Sequence, residues 1–177
     1  MFRFKTMEIE GCYLITPTVQ MDNTCDLIKF FNDEQFNIYG VSTEFKEEYY
    51  TIAKPGVIRG MHYQKEPYDH CKIVTCLSGD IQDVIVDLRE DSKSYKKFTM
   101  VDLNDKNKNM IYIPKGCAHG YYIRGNKEAL VFYKVTKPYY KDYRAGIHWD
   151  SLNIPWDFRN KFEVEVEEED KILPIIN

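Results

Sequence analysis

Lys72-Ile73-Val74-Thr75-Cys76-Leu77-Ser78-Gly79-Asp80-Ile81-Gln82-Asp83-Val84-Ile85-Val86-Asp87-Leu88 contains two β-branched, apolar runs separated by a Ser-Gly-Asp turn. That is the pattern of two strands joined by a tight reversal. Side chains alternate along a strand, so Asp83, Ile85 and Asp87 share one face of the second run and Val84, Val86 and Leu88 the other. Acids on the outer face of a sheet would explain Asp83 and Asp87 without any function. Similar short runs flank this stretch, at 45–52 and 57–64 before it and at 95–103, 110–114, 116–123 and 129–136 after it. An Asn/Asp/Lys turn occupies 104–109. Strands at this spacing with hairpin-type turns predict an all-β sandwich or barrel, not alternating βα units.

The ends of the chain read less regularly. Residues 8–17 suggest a strand pair broken at Gly11 and stopped by Pro17. Leu27, Phe30 and Phe31 repeat at i, i+3 and i+4, with Asp22, Asn23 and Thr24 as candidate caps, and predict a helix over 22–36. Residues 149–158 are aromatic and turn-like. In 163–170, Val164 and Val166 alternate with Glu163, Glu165 and Glu167, as in a charged edge strand.

Composition narrows the function. The 177 residues are enough for one domain over 1–177 with its own core. A formal charge of −4 argues against a nucleic-acid partner, and an aromatic fraction of 15% favours β structure. No apolar run approaches the roughly 18 residues of a membrane span. Met1-Phe2-Arg3-Phe4-Lys5 has no long apolar stretch behind it, so a secretory leader is not expected and a cytoplasmic location is. The five cysteines are irregularly spaced without a Cys-x-x-Cys pair, which fits reduced thiols better than a zinc site.

Chemistry-bearing side chains gather in three places. Gly56-Val57-Ile58-Arg59-Gly60-Met61-His62-Tyr63-Gln64 places an arginine and a histidine three residues apart in a strand. Strict alternation puts them on opposite faces, but a bend at Gly60 would bring both to one cavity. Ile113-Pro114-Lys115-Gly116-Cys117-Ala118-His119-Gly120-Tyr121 has a histidine opening a strand. Tyr133-Lys134-Val135-Thr136-Lys137-Pro138-Tyr139-Tyr140 ends a strand in a tyrosine cluster. A single histidine in a strand is more often structural than functional. A β interior lined by His, Arg, Lys and Tyr, however, is costly to bury dry, which favours a polar pocket.

These motifs, with Asp83-Val84-Ile85-Val86-Asp87-Leu88-Arg89, Ile147-His148-Trp149-Asp150 and Ile154-Pro155-Trp156, resemble the dTDP-4-dehydrorhamnose 3,5-epimerase family. The likeness runs in order over about 56–157 and more weakly toward both ends. It implies a cupin-type jelly-roll barrel and a homodimer that exchanges N-terminal strands within 1–20. It also implies no metal and no cofactor. His62 has no second histidine at the spacing of a metal-binding cupin, which agrees.

In such an enzyme the ketone at C4 of a nucleotide-linked sugar acidifies the protons at C3 and C5. Inversion then needs a base on one face, an acid on the other and a stabilised enolate. The resemblance makes His62 the base, Tyr133 the acid, Lys72 the enolate stabiliser and Asp170 the partner of His62, with Asp83 as a second candidate for that partner. Arg59, His119, Tyr139 and Gln64 become substrate-binding, Arg59 through the diphosphate and Tyr139 by stacking on the base.

The departures lie mostly in the binding shell. The family's Arg-Gly-x-Phe is replaced by Asp26-Leu27-Ile28-Lys29-Phe30-Phe31, and its Gln-x-Asn-x-Ser-x-Ser by Glu47-Glu48-Tyr49-Tyr50-Thr51-Ile52-Ala53. Its Ser-x-Lys-Asp becomes Glu167-Glu168-Glu169-Asp170, with Glu169 in place of the lysine, and Arg144 replaces a glutamate. An altered substrate is the expectation. The alternatives are a C3-only epimerase, a 3,4-ketoisomerase or a non-catalytic sugar-binding cupin.

Overall fold

The structure, a computed structural model, describes residues 1–159 and 162–177. The strands of its first half are β1 (Arg3–Thr6), β2 (Tyr13–Thr16), β3 (Thr18–Met21), β4 (Asp26–Lys29), β5 (Glu47–Ala53), β6 (Val57–Gln64) and β7 (Lys72–Ser78). Then follow β8 (Asp80–Asp87), β9 (Phe98–Asn104), β10 (Met110–Ile113), β11 (Cys117–Ile123), β12 (Ala129–Val135), β13 (Arg144–Gly146) and β14 (Glu165–Val166). Two short helices are α1 (Asp33–Ile38) and α2 (Glu168–Lys171).

One sheet runs β1-β2-β10-β7-β12-β5 and a second β13-β6-β11-β8-β9, with β14 parallel to β6. The chain leaves β7 for the opposite sheet through Gly79, so the 72–88 stretch supplies one strand to each sheet. The inner faces pack together: Val74, Ile111, Val131 and Tyr133 of the first sheet meet Ile81, Ile85, Leu103 and Tyr121 of the second. The fold is all-β and of cupin type, two facing sheets rather than a barrel closed by hydrogen bonds. Among the described residues no helix is long and apolar enough to cross a membrane.

Both outer faces are also covered. Val84 and Val86 pack with Ile58, Met61, Ile147, Ile154 and Trp156, so the 147–156 segment shields the second sheet. Phe2, Phe36 and Val41 shield Ile73 and Met110 of the first. The expected solvent face for Asp83 and Asp87 therefore does not exist. Both side chains are buried on the inner face of β8, where each has found polar partners: Asp83 bonds His119, and Asp87 accepts from Arg89, Ser92 and Ser94.

Three other expectations shift. The N-terminal strand pair is a hairpin of 3–6 with 13–16, with Gly11 in its turn, rather than strands within 8–17. Residues 22–36 are not a helix. Asp22 Oδ1 accepts from the N–H groups of Thr24 and Cys25 at 2.6 and 3.0 Å, an Asx turn that reverses β3 into β4. The helix starts later, capped by Asn32, whose side chain accepts from Gln35 N. Leu27, half-exposed on β4, never joins the apolar stripe its spacing suggested. Finally, the acidic edge strand shrinks to Glu165–Val166 before α2 turns Asp170 inward.

Candidate active site

β6 and β11 meet at two glycines. Gly60 has φ +127°, and a Cβ there would lie 2.5 Å from Gly120 Cα. The register of the two strands slips between His119 and Tyr121. This irregularity sets aside strict alternation, and Arg59 and His62 both reach one cavity, as a bend at Gly60 requires. The cavity measures about 410 Å³ and is also lined by Lys72, His119, Tyr133, Tyr139 and Gln64. Asp170 and Asp83 stand behind the histidines, fully buried.

Each histidine has its own carboxylate. His62 Nε2 lies 2.5 Å from Asp170 Oδ1, and Asp170 Oδ2 accepts from Gly60 N at 3.1 Å. His119 Nε2 lies 2.7 Å from Asp83 Oδ2. Of the two candidate partners for His62, the contact is made by Asp170, while Asp83 serves His119. Burial lowers the proton affinity of His62, and the Asp170 carboxylate opposes that without cancelling it. For Asp170 itself burial pushes upward, but the hydrogen bond and charge of His62, together with Gly60 N–H and Arg144, hold its carboxyl below the usual range. With Nε2 donating to Asp170, the other ring nitrogen is left basic.

The opposite wall comes from the first sheet. Tyr133, on β12, is buried, stacks on Tyr49 with ring centroids 4.7 Å apart, and has its hydroxyl pKa raised well above 10 by burial. Its hydroxyl therefore keeps its proton at any working pH. Lys72, at the start of β7, donates from Nζ to the His62 carbonyl oxygen at 3.2 Å. Desolvation pulls its pKa down to about 8.

The rim is more committed than a free binding surface. Arg59 is 3.5 Å from Glu167, and Tyr139, whose N–H donates to Glu47, is exposed at the mouth. Gln64 is buried, with its amide nitrogen donating to Tyr68 O and Pro138 O and its oxygen accepting from Tyr140 N. Its polar atoms tie two loops together instead of facing the cavity freely. Reading residues singly missed Arg144. Its Nη1 pairs with Glu169 at 2.5 Å, and its Nη2 reaches Asp170 Oδ1 at 2.6 Å. The signal was present, since positions 144 and 169 depart from the family pattern with opposite changes of charge.

A family profile described as dTDP-4-dehydrorhamnose 3,5-epimerase matches residues 6–177. The chain is 34% identical over 172 residues to the dTDP-4-dehydrorhamnose 3,5-epimerase of Methanothermobacter thermautotrophicus, covering 96% of this chain and 92% of that one. Its fold is similar to the Bacillus anthracis enzyme solved with TDP and pyrophosphate bound, with a TM-score of 0.91, 28% identity and 99% of each chain covered. A Legionella pneumophila dTDP-6-deoxy-D-glucose-3,5-epimerase in complex with dTDP-4-keto-L-rhamnose matches with TM-score 0.91 and 26% identity, over 99% of this chain and 93% of that one.

Proposed function

We propose, because the chain belongs to the dTDP-4-dehydrorhamnose 3,5-epimerase family and is a carbohydrate epimerase, that it inverts C3 and C5 of a dTDP-linked 4-keto-6-deoxy sugar. His62 takes the proton beside the C4 ketone at its free ring nitrogen, while Asp170 stabilises the imidazolium that forms. The electron pair moves onto the C4 oxygen as an enolate, beside the Lys72 ammonium. Tyr133 then returns a proton to the opposite face, and solvent restores both side chains. Arg59 takes the diphosphate by displacing Glu167, and Tyr139 stacks on the base.

The observation that carries this reading is the arrangement of a paired histidine on one sheet and a buried tyrosine on the other. Both line one cavity of about 410 Å³, with Lys72 bonded to the His62 carbonyl oxygen. An acid and a base on opposite walls are what inversion, as opposed to simple exchange, demands. Five free thiols suit a cytoplasmic enzyme. Val19, Met21 and Leu27 on the β3–β4 hairpin, with Tyr50 and Ile52 on edge strand β5, are exposed apolar groups suited to a homodimer contact.

Incubation with a dTDP-linked 4-keto-6-deoxy sugar in deuterated water tests the reading. NMR should show deuterium at both C3 and C5 of an inverted product. Label at C3 alone would reduce the activity to a C3 epimerase, and no label at either carbon would overturn the epimerase assignment.

A further inference from the structure

Arg144 opens β13, which pairs with β6 so that Arg144 lies opposite Gln64 and Gly146 opposite His62. Its guanidinium is mostly shielded, and Nη2 approaches the same Asp170 oxygen that His62 contacts, at 2.6 Å against 2.5 Å for His62 Nε2. Nη2 and the His62 nitrogen are thereby held 2.9 Å apart. Two donors share one acceptor, and one of them is a permanent cation. We infer that Arg144, balanced by Glu169, is a positioning residue that sets how readily His62 accepts a proton, an inference that rests on His62 being the base.

The physical argument is one of charge. When His62 protonates, a second positive charge appears in contact with the guanidinium, and Asp170 must serve both. Arg144 therefore opposes protonation and keeps the base free. Glu169, mostly exposed, bonds the outer nitrogen of Arg144 at 2.5 Å and offsets part of that opposition. The other groups facing His62 are Lys72 from β7, which also opposes protonation, and His119 across the strand pair on β11. Of these groups only Arg144 is paired with an exposed carboxylate, Glu169, at the rim of the cavity.

The test uses Arg144→Gln, Arg144→Lys and Glu169→Gln in the full chain, read two ways. Ring-nitrogen NMR follows the titration of His62 without substrate, and the pH profile of kcat/KM follows its acid limb. Arg144→Gln should move both to higher pH, with several-fold loss of turnover below the wild-type limb and little change above it. Glu169→Gln should move both to lower pH, and Arg144→Lys should restore the wild-type position. Opposite shifts from the two neutralising variants are not a signature of lost folding stability. Titrations of His62 that coincide in wild type, Arg144→Gln and Glu169→Gln would overturn the inference, whatever happens to the plateau rate. Should Arg144→Gln not fold, Glu169→Gln decides by itself: a downward shift supports the inference and no shift overturns it. Full turnover by His62→Asn would instead remove the base assignment, a separate failure, because the NMR titration needs no turnover.

Discussion

Asp170 Oδ1 stands 2.5 Å from His62 Nε2 although 108 positions separate the two residues in the chain. The contact exists because β14 lies parallel to the start of β6 and α2 then turns Asp170 back over Gly60, whose N–H it accepts. A carboxylate there fixes which ring nitrogen carries the proton, and in the proposed mechanism it stabilises the imidazolium. Asp170→Asn should lower kcat by about 10²-fold or more and also lower the melting temperature, since its one amide oxygen can keep the Arg144 bond or the Gly60 bond but not both. Turnover and thermal melting measured side by side check this. Wild-type turnover in the variant would remove Asp170 from the mechanism.

In the proposed mechanism Lys72 gives the pH dependence its alkaline side. Burial holds its ammonium at about 8 in the free protein, against about 10.4 for an unperturbed lysine. The charged form that stabilises the enolate is lost as pH rises through about 8, so kcat/KM should fall there. Tyr133 cannot account for that limb, because its hydroxyl titrates well above 10. The stability term has the opposite sense. A lysine depressed in the fold opposes folding in full below its folded value, and that penalty is relieved between the folded and unfolded values, so stability rises there as pH increases. Lys72→Arg keeps a charge to far higher pH, and its residual activity should lose the limb near 8. Persistence of that limb in the variant would reject the assignment.

The strands 57–64 and 72–88 were legible because alternation and β-branching are local properties, and so was the bend at Gly60, since a glycine inside a strand marks a bulge or a close backbone approach. The burial of Asp83 and Asp87 was not. An acid alternating with valines reads as a solvent face until distant segments are placed: here the acid face is the inner one, covered by the first sheet, and 147–156 covers the valines instead. The helix expected at 22–36 failed for a related reason: the Asp22 side chain can cap a helix or close a hairpin turn, and only the neighbours of β3 decide between them. Asp170 could be placed only through family resemblance. Nothing in Glu167-Glu168-Glu169-Asp170 distinguishes the one carboxylate that is buried.

Tyr133 and His62 belong to different sheets, which allows proton loss and proton return to be separated. Tyr133→Phe keeps the ring stacked on Tyr49 and removes only the hydroxyl, at a stability change of about 1 kcal/mol. His62 and Lys72 remain, so the sugar should still exchange its proton with solvent and be returned from the same face. In deuterated water the recovered substrate should gain label, while inverted product falls by about 10²-fold or more. Loss of exchange and inversion in equal measure would mean that Tyr133 does not act as the opposing acid.

Asp87 tests the buried-acid finding away from the cavity. Its Oδ1 accepts from Arg89 Nε at 2.8 Å, and its Oδ2 from Arg89 Nη2, Ser92 Oγ and Ser94 Oγ at 2.8, 2.6 and 2.6 Å. Arg89 and Ser94 in turn bond the backbone of Glu10, pinning the turn between β1 and β2. Burial pushes the Asp87 carboxyl upward, but these donors outweigh it and hold it far below the ordinary range. A carboxyl depressed in the fold contributes stability above its unfolded value of about 3.9, and that contribution is lost as pH falls below it. Asp87→Asn should therefore cost about 2–3 kcal/mol near neutral pH and flatten the loss of stability on acidification. Urea midpoints from pH 7 down to pH 3 would show it. A variant whose stability falls with acid as steeply as the wild type would place the responsible carboxylate elsewhere.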